Sequence, residues 1–194
     1  MIRLGDKSKV QVIIVTDGDI TAQKAIKIAA MDLNLFPLMM SGGNPTPLSG
    51  AEIAELVLSA PYDPVVVMVD DKGFRGKGRG EQVIDHLMKH EAIQVLGVIA
   101  VASDTKVRGV EVDCSVTSTG RVVRRPVNKH GYAERLGNQR LEGDTIEVLK
   151  KYPELYIVGC GDLGKMNGYD DIEYGAFITS KSLQEILERG TPIV

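Results

Sequence analysis

The chain has 194 residues, 43% of them hydrophobic and 25% charged, with a net charge of −3 at neutral pH. That length supports one full hydrophobic core, so residues 1–194 are read as a single domain, and the composition excludes the disordered and fibrous classes. The acid excess argues against a general nucleic-acid surface, and no apolar run reaches the roughly 18 residues that span a bilayer.

Residues 10–15 form a β-branched run that ends in Thr16-Asp17-Gly18-Asp19, the pattern of a buried strand stopped by a turn. A helix is predicted directly after it, capped by Asp19, with Ala22, Ala25, Ile26, Ala29 and Leu33 on one face. Residues 35–40 are a second, less regular apolar run, and 41–47 read as a loop. Ser49 and Glu52 have the spacing of a capping box, and Leu48 and Ile53 that of a hydrophobic staple. The helix they start should carry Ile53, Leu56, Val57 and Ala60 inward. Pro61 and Pro64 close it and reset the chain for a fully apolar strand over 65–69. That strand ends in Asp70-Asp71, before a loop holding Gly73, Gly76, Gly78 and Gly80. The following helix buries Val83, Ile84, Leu87 and Met88, and 93–101 is a third buried run.

The pattern then changes. Val110, Val112, Cys114 and Val116 alternate with polar residues, Ser118-Thr119-Gly120 spells a turn, and 122–127 returns, the signature of a hairpin with one wet face. Asp144 with Glu147 should start a short helix, 155–158 a strand, and 180–189, stopped by Gly190, the last helix. Apolar strands alternating with amphipathic helices specify an α/β fold. The expected form is a mainly parallel, Rossmann-like or Toprim-like sheet with helices on both faces and an added antiparallel hairpin. In such sheets ligands sit at the carboxyl ends of the strands, near a topological switch point. The loops over 17–19, 70–80 and 159–165 qualify.

Gly159-Cys160-Gly161-Asp162-Leu163-Gly164 fits G-x-G-x-x-G after a strand, but it stands too late in the sequence for the helix and acid-tipped strand of a dinucleotide site. The same segment matches a P-loop through Lys165 until Met166 replaces the magnesium-binding Ser or Thr. A phosphate cradle using Gly161 and Lys165, or a glycine turn made for packing, remains. Asp17, Asp19, Asp70, Asp71 and Asp162 all follow strand ends and are expected to converge on one edge. Oxygen-only donors suit magnesium or calcium, with Asp17, Asp70 and Asp162 as the expected metal ligands. Aspartate is equally a standard cap and turn residue, a role open to Asp19 above all. The arrangement resembles the magnesium site of Toprim domains, which however carry a glutamate on the first strand and a second DxD where this chain has Asp70-Asp71-Lys72.

The loop over 70–80 interleaves Lys72, Arg75, Lys77 and Arg79 with glycines and opens onto a helix N-terminus. It is read as an anion nest using Gly73 and Gly76, or as a mobile surface loop. Together with Gly18 beside Asp17, these residues make up the expected ligand-binding set, and no catalytic residue is assigned. There is no G-x-S-x-G elbow, and His86 and His90 lack the intervening Glu of a metalloprotease motif. Cys114 and Cys160 form no CxxC, and neither they nor the histidines cluster as zinc ligands. From Arg121 to Arg140 six basic residues face Glu134 alone, an anion or partner surface or a solvated face.

Five blocks in register resemble the stage V sporulation protein AE family over roughly 10–190: Thr16-Asp17-Gly18-Asp19; Gly43-Asn44-Pro45-Thr46-Pro47-Leu48-Ser49-Gly50; Val69-Asp70-Asp71-Lys72-Gly73 through Gly80-Glu81; Val95-Leu96-Gly97-Val98-Ile99-Ala100-Val101-Ala102-Ser103; and Gly161-Asp162-Leu163-Gly164-Lys165-Met166. The resemblance implies a spore-forming bacterium and a soluble accessory role, in sporulation and germination, with the machinery that moves dipicolinic acid as its calcium chelate. It further implies peripheral association with the spore inner membrane and with the other transport proteins. A homo-oligomer is left open, and no nucleic-acid partner is expected. Residues 1–9 are too polar for a signal peptide core. Three readings follow: an accessory protein that binds a partner, an anion or a divalent cation, which the absence of a catalytic set favours; a magnesium-dependent enzyme acting on a phosphorylated or nucleotide substrate at the Asp17/Asp70/Asp162 edge; and a structural oligomer whose loops merely pack.

Overall fold

The computed structural model describes residues 9–74 and 77–189. Arg75, Gly76 and Gly190, used in the sequence reading, lie outside the described residues. The chain runs β1 (Val10–Val15), α1 (Ile20–Asp32), β2 (Phe36–Pro37), α2 (Gly50–Leu58), β3 (Val65–Met68), α3 (Arg79–Lys89), β4 (Ile93–Val101), β5 (Val110–Glu111), β6 (Cys114–Val116), β7 (Val122–Val123), β8 (Arg140–Leu141), β9 (Ile157–Cys160) and α4 (Phe177–Glu188). The main sheet has the order β2-β3-β1-β4-β9-β6-β7, and β5 pairs with β8 apart from it. All neighbours in the main sheet are parallel except β6 and β7. The fold is thus α/β, as the alternation of strands and helices specified.

β1 is β-branched throughout its inner part because both of its faces are covered. Val12 and Ile14 pack with Ile53 and Val57 of α2 and with Val83 and Leu87 of α3. Ile13 and Val15 pack on the other face with Ala22 and Ile26 of α1 and Ile178 and Leu183 of α4. The connection from β1 moves towards one edge of the sheet over the α1 face, whereas β2-α2-β3-α3-β4 returns over the opposite face, as right-handed crossovers require. The direction of travel therefore reverses between β1 and β4, which puts the switch point at the carboxyl ends of those two strands.

Two of the three cap assignments made from local spacing hold. Asp19 Oδ1 accepts from the Ala22 N–H at 2.9 Å. Ser49 Oγ accepts from the Glu52 N–H while Glu52 Oε2 accepts from the Ser49 N–H, closing the capping box of α2. Ser49→Ala is expected to lower stability by about 1 kcal/mol, read as a shift in urea midpoint with no change in slope.

Elsewhere long-range partners move the boundaries. The stretch expected as one strand from Val110 to Val116 divides at Asp113, whose Oδ2 accepts from the Ile157 N–H at 2.7 Å. Its first half pairs with β8 and its second joins the main sheet. Cys114, Ser115 and Val116 are all buried, so the expected wet face is dry here: β6 lies between β9 and β7 and is packed by α4. The return strand pairs only at Val122–Val123, and Val127 makes an isolated bridge to Ala133. Residues 35–40 yield a two-residue edge strand followed by a 3-10 turn, Met39–Ser41. Asp144 caps nothing: the helix after it is a 3-10 turn, Glu147–Lys151, flanked by Ile146 with no side-chain cap. The last helix begins at Phe177, ahead of the expected 180. Among the described residues no helix is long and apolar enough to cross a membrane.

Candidate functional site

The carboxyl ends of β1, β3, β4 and β9 open onto a cleft of about 380 Å³ whose walls include Asp17, Asp19, Asp70, Asp144 and Asp162, with Lys72, Lys129 and Asn44. β1 is tied to β4 just before the cleft, since the Thr16 N–H donates to the Ile99 carbonyl at 3.0 Å and Thr16 Oγ1 accepts from the Val101 N–H at 2.9 Å. The next side chain, Asp17, thereby enters the cleft from a fixed base. It is only 8% exposed. Oδ1 accepts from the Asp19 N–H at 3.2 Å, and Oδ2 has no hydrogen-bond donor among the described residues. Desolvation, then the Asp19 carboxylate, with smaller contributions from Asp70 and Asp162, pushes the Asp17 carboxyl up to about 8.

Gly18 is required for contact rather than for conformation. A Cβ there would lie 2.4 Å from the Gly43 carbonyl, so only hydrogen lets the 41–47 loop close against the turn. Asp19 serves the helix and the cleft at once: Oδ1 caps α1, and Oδ2 accepts from Lys165 Nζ at 2.7 Å. Partial burial pushes its carboxyl up, but Lys165 and the Ala22 N–H outweigh this and hold it below the usual carboxylate range. Lys165 Nζ also donates to Asp162 Oδ1 at 3.2 Å. Partial desolvation opposes its charge, yet Asp19 and Asp162 prevail and hold the ammonium proton to about 12.

Asp70 lies at the end of the β3 segment and is clamped to the 41–47 loop. Thr46 Oγ1 accepts from the Asp70 N–H at 2.7 Å, and the Asp70 carbonyl accepts from the Thr46 N–H at 2.9 Å. Burial raises its carboxyl to about 6 against the Lys72 N–H, which donates to Oδ1 at 2.7 Å. Asp71 points away, into α3: Oδ1 accepts from the Gly80 N–H at 2.7 Å and Oδ2 from the Glu81 N–H at 3.2 Å, so it caps that helix from a distance. Gly73, in the left-handed region at φ 69°, gives its N–H to Asp144 Oδ2 at 2.6 Å.

In the glycine turn after β9, the Asp162 N–H donates to the Lys129 carbonyl at 2.8 Å and the Gly164 N–H to Asp170 Oδ2 at 2.7 Å. A Cβ on Gly161 would lie 2.7 Å from the Gly131 nitrogen. These amides hold protein partners, and a 3-10 turn, Met166–Gly168, follows in place of the α-helix of a phosphate loop.

The structure therefore brings Asp17, Asp19, Asp70 and Asp162 to one cleft, with Gly18, Gly73 and Gly161 in its supporting turns and Lys165 inside the acidic group. Asp71 is directed to α3. One carboxylate oxygen each from Asp17, Asp19 and Asp162 lies within 4.8 Å of the other two. Asp19 thus completes the closest trio, where the sequence reading had Asp70, which lines the same cleft. The donor set is oxygen only and fits magnesium or calcium. Two further wall residues, Asp144 and Lys129, were not among the expected set. Asp144 had looked like a local cap, and Lys129 like one charge in a basic stretch.

A family model described as stage V sporulation protein AE1 matches residues 11–190 of the chain. No curated protein and no solved structure matches it.

Proposed function

The chain belongs to the stage V sporulation protein AE1 family, and from that premise we propose that it is a non-catalytic accessory of the machinery that moves dipicolinic acid in the spore, with a divalent cation, calcium or magnesium, held in the strand-end cleft. In this reading its partners are the other proteins of that machinery, and it attaches peripherally at the inner membrane of the forespore or spore. Both points rest on the family alone.

The observation that carries the cation site is the Asp17 carboxyl: nearly fully buried, with one oxygen unpaired among the described residues, and close to the Asp19 and Asp162 oxygens. A carboxylate so placed is costly unless a cation meets it. Calorimetric titration of the folded protein with calcium and with magnesium, each with and without dipicolinate, tests this. Saturable binding of one cation is expected, at least about tenfold weaker in Asp17→Asn. Absence of heat and of any thermal shift with both metals would sink the reading.

A second reading, a magnesium-dependent enzyme acting on a phosphorylated or nucleotide substrate, draws on one feature. Asp17 holds its proton up to about 8, which suits a general acid–base group near neutral pH. Phosphate release from phosphomonoesters and nucleotides in magnesium, abolished by Asp17→Asn, would favour it over the accessory role.

A further inference from the structure

We propose that Lys165 is a tethered counter-cation seated where the divalent cation binds, and that a metal entering the cleft displaces its ammonium, which then anchors a small oxyanion, a carboxylate or phosphate, against the metal's open side. This rests on the cation-site reading above.

The Lys165 ammonium lies 2.7 Å from Asp19 Oδ2 and 3.2 Å from Asp162 Oδ1. Those residues supply two of the three closest carboxylates, and the ammonium makes no ion pair with the third, Asp17. Asp17 is the most deeply buried of the trio, and one of its oxygens meets no donor among the described residues. A single ammonium therefore leaves the group incompletely neutralised. Calcium, bonded at about 2.4 Å to each ligand, can bridge oxygens roughly twice that distance apart, and magnesium, at about 2.1 Å, does so after a small inward shift of the side chains; the three oxygens lie within 4.8 Å of one another. The metal reaches a ligand that the lysine does not.

Displacement needs only side-chain motion. Lys165 is 40% exposed at its side chain and hangs on a flexible four-carbon stem, so the ammonium can swing while the backbone stays in place. Three carboxylates binding through one oxygen each leave about half of a six- to eight-coordinate shell open. The three carboxylates line a cleft of about 380 Å³ in which Lys72 also stands, with Lys129 held in an ion pair by Asp104. An oxyanion there would complete the metal's shell and meet the released ammonium.

The test compares the native chain with Lys165→Met, which keeps most of the stem and removes the charge, and with Lys165→Arg, which keeps the charge. Magnesium and calcium alone are titrated first, then each in the presence of inorganic phosphate. Lys165→Met is expected to bind metal about tenfold more tightly than the native chain, because a competing cation is gone. Lys165→Arg should stay near the native affinity. Phosphate should tighten metal binding several-fold in the native chain and leave Lys165→Met unchanged. Equal or weaker metal binding by Lys165→Met would overturn the displacement, since a lysine that merely supports the carboxylates would be missed. Phosphate enhancement that survives in Lys165→Met would overturn the anchoring role. If the native chain and both variants bind neither metal, the cation site falls with it, a result distinct from metal binding that is indifferent to Lys165.

Discussion

Asp17→Asn is expected to be more stable than the native chain above about pH 8, and indistinguishable from it in acid. In the unfolded chain the Asp17 carboxyl ionises near its ordinary value of 3.8, whereas in the folded protein it keeps its proton to about 8. Between those values the folded state binds more protons than the unfolded one, so stability falls as pH rises from about 4 to about 8 and this group adds no further slope beyond. Four pH units correspond to a contribution of the order of 5 kcal/mol. Asp70, raised to about 6, slopes the same way over a narrower window. Asparagine keeps a carbonyl oxygen for the Asp19 N–H and never ionises, so the variant loses the Asp17 part of the slope. Urea midpoints at about pH 5, 7 and 9 measure it: curves that stay parallel would refute the argument. Saturating calcium should flatten the native curve by favouring the ionised form, and should leave the variant's curve untouched. A gain in stability with a loss of cation binding is the pattern of a carboxylate held in an unfavourable place for function.

Asp170→Ala should cost about 4 kcal/mol, lowering the melting temperature by about 10 °C. The carboxylate is fully buried, at 0% exposure, and is met by four donors. Oδ1 accepts from the Ile178 and Thr179 N–H groups at 2.7 and 2.9 Å, and Oδ2 from the Gly164 N–H at 2.7 Å and Thr179 Oγ1 at 2.6 Å. The charge lies at the amino end of α4, where the helix dipole adds to the hydrogen bonds. Alanine would leave three amides and a hydroxyl without their partner inside the protein, each unsatisfied group costing about 1–3 kcal/mol before relaxation and water entry. Asp170→Asn presents an amide N–H₂ to groups that are themselves donors and should recover less than half of the loss. Thermal unfolding of both variants decides it. Loss of under about 1 kcal/mol in alanine would mean that water replaces the carboxylate freely. Because the same side chain holds Gly164, next to Lys165, the variant should also loosen the cleft wall.

The parts of the molecule that could be read from the chain are those whose causes are local. Apolar runs buried on both faces gave β1, β3 and β4; the Asp19 and Ser49 caps act on amides three residues away. The placement of Asp17 in the strand-end cleft was legible because a carboxylate directly after a parallel strand must emerge at the carboxyl edge of the sheet. Asp170 was not. It caps a helix from eight and nine positions upstream, outside any cap spacing. Asp144 misled for the same reason in reverse: it has the spacing of a local cap, but its oxygen is taken by Gly73, 71 positions away. The Lys165 to Asp19 pair spans 146 positions, and only the juxtaposition of β9 and β1 on either side of β4 brings it about. The glycine turn at 159–164 carried a phosphate-loop spelling that its hydrogen bonds do not use, since short glycine motifs record close packing as readily as ligand contact.

Both borders of the main sheet are two residues long. One ends in Pro37, which has no N–H to offer a newcomer, and the other is bracketed by the exposed Arg121, Arg124 and Arg125, whose like charges resist stacking against a second copy. The cationic stretch thereby has a second physical effect: with Pro37 at the opposite border, it disfavours backbone pairing between the edges of this sheet and a strand of another chain.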